Sequence, residues 1–287
     1  MSWVLTLTIV ISVAIVLAIS VFLLVYFTKP KAHKNSENTE RHGSVLSAIV
    51  KHEEKYLKEW ATYHLDGLGF DSIWLYDNSD DHCLKSFFAD SRIEVIHFPG
   101  SQQQMASYMH VLENNAIHRW AAFMDADEFL VIPEPHKVNE FLAEHCSEGA
   151  LYLNWRLFGD SHQTKATDKP VTERFTLRQS GLEGLGKTIL NIADQARVED
   201  PHFFSNIRTV DLNGTVVKEA AHKTEGDPIA WVNHYFCKTK EEFMKKRARG
   251  RSDIPGLRDL SAFDAHNRNE VVDLSARKIY QKAVGVL

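Results

Sequence analysis

Three acidic residues, Asp125, Asp127 and Glu128, fall within four positions between two apolar runs, 121–124 and 129–132. The first run has the length and composition of a buried strand. Carboxylates clustered at a buried strand tip are costly unless a positive charge offsets them. A hard divalent cation does so, and Mg²⁺ or Mn²⁺ commonly bridges protein carboxylates to a substrate's phosphates. Alternate side chains of an extended segment share a face, so Asp125 and Asp127 are expected to approach one ion together. The plainer alternative is an acidic turn at a strand end.

Positioning such a cluster requires a scaffold, and the flanking sequence supplies one. Residues 45–50 form an apolar run and the first expected strand. Leu57, Trp60, Ala61, His64, Leu65 and Leu68 then trace one helical face, closed by Gly67 and Gly69. Residues 72–76 and 93–98 read as strands, 105–116 as a helix, 121–124 as a strand, about 138–145 as a helix and 150–154 as a strand. Strands alternating with helices predict an α/β fold, with a mainly parallel sheet covered by helices on both faces. Ligands in such sheets sit at the carboxyl ends of the strands. His52 and Glu53, Asp77 and Asn78, and Asp125 to Glu128 all stand at such ends. No Gly-x-Gly-x-x-Gly follows the first strand and no Walker A pattern occurs, which disfavours a dinucleotide site and a P-loop.

Residues 3–27 carry no charge over 25 positions. At about 1.5 Å per residue, such a helix spans a hydrocarbon core of roughly 30 Å. No basic segment precedes it and no cleavage pattern follows, so residues 1–28 are expected to be a retained single-pass anchor and 29–43 a polar stalk. Lys29, Lys31 and Lys34 after the span place the remainder on the cytosolic side, whereas the sequon Asn213-Gly214-Thr215 suits a lumenal one. Residues 44–255 are expected to form the catalytic domain, and 256–287 a tail of unreadable role. The net charge of −5 gives no general affinity for nucleic acid. Three widely spaced cysteines, Cys83, Cys146 and Cys237, argue against a disulfide framework and against a zinc site.

Six ordered blocks resemble one family. KHEEKYLKEWATYHLDGLGFDSIWLYDN (51–78), DADEF (125–129), NWRLFGDS (154–161), ERF (173–175), GKTI (186–189) and NHYFCKTKEEFMKKRARGR (233–251) are similar to family-2-like glycosyltransferases, in the subgroup that includes glycosyltransferase family 92 and its bacterial relatives. The resemblance covers about residues 45–253. It implies a GT-A fold, Mn²⁺ or Mg²⁺, a UDP- or GDP-sugar donor and a glycan or other hydroxyl acceptor. Carried over by position, Asp125 and Asp127 would hold the metal, with Glu128 in support and His234 as a further metal or phosphate ligand. Asp77 and Asn78 would meet the base or ribose, and Glu53 the uracil end. Lys187 and the Arg247–Arg251 cluster, Arg249 included, would contact phosphate. His52 stands where the family usually has Asn, and Asp160 where a small hydroxyl residue is common.

Glycosyl transfer has an oxocarbenium-like transition state and an anionic leaving group, which call for cations at the diphosphate and a carboxylate at the acceptor hydroxyl. Asp160, Glu173 and Glu183 are the candidate bases, and the residues alone do not rank them. The resemblance implies inversion. Two other readings stay open: a non-catalytic nucleotide-sugar or glycan-binding module on the same fold, and a haloacid-dehalogenase-like phosphatase. Phe129 and the late position of the Asp-x-Asp speak against the phosphatase.

Overall fold

The first strand, β1 (Ser44–Val50), is buried along all seven residues. Burial on both faces explains why it reads as a continuous apolar run rather than an alternation. In the computed structural model, which describes residues 41–132, 136–192 and 196–286, β1 lies at the centre of the sheet. It pairs in parallel with β2 (Ser72–Asp77) on one side and β4 (Trp120–Phe123) on the other, and β2 pairs in parallel with β3 (Ile93–His97).

Beyond β4 the sheet departs from the parallel expectation. β5 (Glu128–Val131) does not pair with β4 but joins the sheet through a later strand, and β6 (Ala150–Leu157) is reached through a helix. β7 (Leu177–Arg178) is short, and β8 (Gly186–Asn191) lies antiparallel between β4 and β6. Four two-residue strands follow: β9 (Arg197–Val198), β10 (Phe204–Ser205), β11 (Thr209–Val210) and β12 (Val216–Val217). β13 (Trp231–His234) runs parallel to β6 and antiparallel to β5, and β14 (Val271–Val272) pairs with β7. The sheet is therefore mixed, parallel in its first half and largely antiparallel in its second. A fully buried antiparallel strand such as β8 has no polar alternation to separate it from a parallel one.

Helix α1 (Glu54–Thr62) follows β1 and runs straight into a π-helical turn, Tyr63–Leu68, which Gly69 ends at φ +82°. This helical pair clamps β5. Trp60 Nε1 donates to the Glu128 carbonyl at 2.8 Å, and Tyr63 Oη to the Leu130 carbonyl at 2.7 Å. His64 bonds the Trp60 carbonyl through Nδ1 and accepts from the Leu130 N–H through Nε2. Complete burial depresses His64 to about 3, so it is neutral. The remaining helices are α2 (Gln104–Asn114), α3 (Val138–His145), α4 (Val171–Arg174), α5 (Lys240–Ala248), α6 (Ser261–His266) and α7 (Ser275–Ala283).

Residues 256–286, without a readable role in sequence, are built into the domain. α7 packs on the π-helical turn, where Ile279 faces Gly67. Asp273 pairs with Arg178 at 2.6 Å and with Arg156 at 3.6 Å. Residues 41–286 belong to one compact unit. The expected membrane span and nearly all of the expected stalk fall in residues 1–40, outside the described residues. Among the described residues no helix is long and apolar enough to cross a membrane.

Close approach of β6 and β8 depends on Gly186. A β-carbon there would lie 2.1 Å from the Leu153 carbonyl oxygen. Gly186→Ala should therefore destabilise the fold by about 3 kcal/mol, as overpacking against immovable backbone does. A urea unfolding midpoint equal to wild type would show that the two strands separate freely.

Candidate functional site

The carboxyl ends of β1, β2 and β4 open into a cleft of about 400 Å³. Lys51 and Glu53 enter it from the turn after β1, Asn78 from the end of β2, and Asp125 and Asp127 from the turn after β4. Gln104 of α2, Trp155 of β6 and His234 of β13 line it as well. Its far wall is α5 and the following loop, with Lys246, Arg249, Arg251 and Arg258.

The acidic turn divides in two. It is a turn rather than extended chain, so Asp125 and Asp127 face different partners. Asp125 accepts from Gln104 Nε2 at 3.0 Å and faces Lys187 Nζ at 3.5 Å. Asp127 is bonded by Lys246 and faces Lys238 Nζ at 3.8 Å and His234 Nε2 at 3.9 Å. Burial opposes ionisation of Asp127, but Lys246 and Lys238 outweigh it and hold the carboxyl well below its ordinary range. Glu128 turns inward and is fully buried; its Oε2 accepts the Asp125 N–H at 2.9 Å and lies 3.3 Å from Lys187 Nζ.

Lys187 on β8 is 1% exposed. Burial alone would depress it, yet the Asp125 carboxylate 3.5 Å away holds it well above its usual value, so it is the charged partner. Burial pushes Glu128 the other way from Asp127, well above the ordinary carboxylate range. Lysines thus offset much of the acidic charge. Lys238 is held there at φ +50°, a conformation a side-chain-bearing residue adopts only under surrounding constraint, with Nζ 4.6 Å from the Tyr56 ring centre.

A divalent ion fits part of this arrangement. His234 is buried and driven well below its usual value, chiefly by desolvation, so its imidazole is neutral as a metal ligand requires. Its Nε2 faces the ionised Asp127, and its Nδ1 is buried with no hydrogen-bond partner. Asp127 and His234 are therefore the pair able to hold Mn²⁺ or Mg²⁺, with remaining positions left to phosphate and water. Asp125, Asp127 and His234 do not gather as a three-ligand group with donor atoms within 4.8 Å of one another.

The other expected residues are distributed unevenly. Glu53 lines the cleft and is bonded by Arg249. Asn78 lines it too, with Nδ2 donating to the Phe98 and Gly100 carbonyls at 2.8 Å. Asp77 does not face the cleft: its carboxylate is fully buried and accepts from Ser79 and from the Leu84 N–H, shaping the loop after β2. Asp160 is likewise a loop residue, accepting from the His162 N–H, Asn267 Nδ2 and Asn269 Nδ2. Glu173 sits on α4, outside the cleft lining. Glu183 also stands outside the lining itself, but its N–H donates to the carbonyl of Trp155, which lines the cleft as Leu185 does.

Trp155 is at the cleft, with its ring 4.2 Å from that of His234, while Phe158 is core, packed on Tyr235. His202 lines the cleft, and His222 instead pairs with Asp211 at 2.8 Å. Gln104, Lys238 and Lys246 escaped individual notice in the sequence. The density of basic residues in 238–251 marked the segment but not which side chains turn inward.

No family model matches the chain. Among curated proteins, it is 23% identical over 223 residues to a glycosyltransferase family 92 protein of Oryza sativa subsp. japonica, covering 71% of this chain and 35% of that one. A glycosyltransferase family 92 protein of Ricinus communis is 23% identical over 243 residues, covering 75% and 39%. The chain is similar to glycosyltransferase family 92 proteins. It matches little more than a third of the length of these relatives. Solved structures give weaker likenesses. S. aureus TarS 1–349 aligns with TM-score 0.38 and 13% identity over 84% of this chain and 70% of that chain. Core-mannan synthase A of Aspergillus fumigatus, in a Mn/GDP form, aligns with TM-score 0.25 and 10% identity over 45% and 46%.

The wall formed by α5 is fixed by a buried ion pair. Arg174 donates to both oxygens of Glu242 at 2.8 and 3.0 Å, and Thr239 caps the helix against the same carboxylate. Burial opposes the charge, but Arg174 and Thr239 prevail and bring Glu242 down to about 2. A depressed folded-state value means stability that is complete above the unfolded value, near 4.3, and lost as pH falls through about 2. Glu242→Gln should remove this part of the acid limb. Urea unfolding from pH 6 to 2 reads it; an unchanged pH slope in the variant would mean the pair does not anchor the wall.

Proposed function

We propose that this protein is a GT-A-type glycosyltransferase that moves a sugar from a nucleotide-sugar donor to an acceptor hydroxyl, with inversion. The observation that carries this reading is the pairing in one cleft of Asp127 and His234 with Lys246, Arg249 and Arg251 on the facing wall. An anionic ligand pair opposite a basic wall suits a metal-bound diphosphate, and few other ligands need both halves. Similarity to glycosyltransferase family 92 proteins supports the same reading.

Asp127 and His234 would hold Mn²⁺ or Mg²⁺. When bound, the ion supplies Lewis-acid stabilisation of the departing diphosphate. Lys246 and Arg249, which here bond Asp127 and Glu53, would supply positive charge to the phosphates where negative charge develops. Glu53 and Asn78 would orient the nucleoside. Asp125 is tied to Gln104 and Lys187 and shapes the floor rather than sharing the ion.

Glu183 is the preferred base. Its backbone N–H donates to the carbonyl of cleft-lining Trp155 at 2.8 Å, next to cleft-lining Leu185, and its carboxylate accepts a single described hydrogen bond, from the Gly184 N–H. Proton removal from the acceptor by one carboxylate is what inversion requires. Residues 3–27 are read as a membrane anchor, with the rest of the chain on the cytosolic side by its flanking Lys29, Lys31 and Lys34.

Calorimetry of the full-length chain with UDP and GDP, with and without Mn²⁺, tests the donor site. Metal-dependent binding should weaken at least 10-fold in Asp127→Asn; no binding of either nucleotide by folded protein would overturn the proposal. Glu183→Gln should lower donor turnover about 100-fold with donor affinity unchanged, and wild-type turnover would remove Glu183 from the base role.

A further inference from the structure

A second cluster of ligating side chains lies on the outer side of the turn that follows β1. Among the described residues, His52, Glu54 and Cys83 are the one group of three His, Cys, Asp or Glu side chains whose ligand atoms all lie within 4.8 Å of one another. His52 Nδ1 is 4.0 Å from Glu54 Oε1. His52 is exposed, and Glu54 and Cys83 are half-buried, so the cluster is open to solvent on the histidine side.

The three come from two chain segments, with Glu54 the first residue of α1. His52 and Glu54 flank Glu53 in the turn into α1, and Cys83 belongs to the loop after β2, whose path is set by Asp77 and Ser79. Two rigid strand ends therefore hold the donors together. Cys83 Sγ is also 3.9 Å from Asp77 Oδ1. Two carboxylates beside a thiol are a poor setting for a thiolate alone and a good one for a thiolate carrying a cation.

We propose that His52, Glu54 and Cys83 bind a Zn²⁺ ion, separate from the Asp127–His234 pair. One nitrogen, one sulfur and one carboxylate oxygen form a mixed donor set that borderline-soft Zn²⁺ accepts and hard Mg²⁺ does not. Tetrahedral zinc with bonds of about 2.0–2.3 Å sets its ligand atoms about 3.3–3.8 Å apart. Donor atoms now within 4.8 Å of one another would have to close to that spacing, and the exposed His52 side chain has room to turn. Three protein ligands leave the fourth position to water. Binding displaces the Cys83 proton to solvent, so the sulfur enters as thiolate and no electron is exchanged. The same turn sends Lys51 and Glu53 into the cleft, so the ion would pin the backbone from which both project.

Co²⁺ titration of the full-length chain, treated with chelator and dialysed, tests this. A saturable one-to-one near-ultraviolet thiolate-to-cobalt band is expected, displaced by Zn²⁺. Cys83→Ser should abolish the band, and His52→Ala, at an exposed position that spares folding, should weaken affinity at least 10-fold. Asp127→Asn should leave the band intact, which separates this site from the proposed donor site. Absence of the band in folded wild-type protein, or its persistence in Cys83→Ser, would overturn the proposal.

Discussion

The architecture depends on one electrostatic constraint: the acidic turn after β4 is mostly buried and must be neutralised. Asp127 is 3% exposed and Glu128 is fully buried. Isolated carboxylates in such surroundings would take up protons or unfold the turn. The fold meets the demand with Lys187 from beneath, on a strand antiparallel to β4, and with Lys246 and Lys238 from above. Lys187 stands on β8, Lys238 in the loop between β13 and α5, and Lys246 on α5, so the charge balance ties the parallel half of the sheet to these later segments.

This explains why elements distant in sequence are rigidly fixed around the cleft. Trp60 and Tyr63 hold β5 through its carbonyls, which keeps Glu128 in register. Arg174 and Glu242 hold α5, which keeps Lys246 within reach of Asp127. A buried pair of this kind adds little net stability over an apolar one, and removal of one partner is expensive. Its value lies in specifying where the charged groups stand.

The first half of the fold was legible because its signals are local. The run at 45–50, the helical face from Leu57 to Leu68 and the strand tips at Glu53, Asn78 and Asp127 follow from periodicity and strand ends alone. The direction of β8 was not legible, since GKTILN is buried on both faces and such a run carries no mark of orientation. Asp77 and Asp160 misled for a related reason. A short acidic side chain at a strand end or turn serves a ligand or its own backbone equally well, and the partners that decide, Leu84 for one and Asn267 and Asn269 for the other, lie elsewhere in the chain. The His52–Glu54–Cys83 group escaped because cysteine spacing was weighed only against other cysteines.

The docking of α7 on the π-helical turn bears on the order in which the molecule assembles. Residues 63–68 are made early, yet the helix that covers them lies about 200 residues further along the chain. Contacts of such sequence separation form late and slowly, since a long loop must close before they are rewarded. During synthesis the Gly67 face therefore stays uncovered until residues 275–283 leave the ribosome. The layer behind β5 is completed only when that helix docks, and loss of residues 275–283 would leave an apolar seam open beside an otherwise formed cleft.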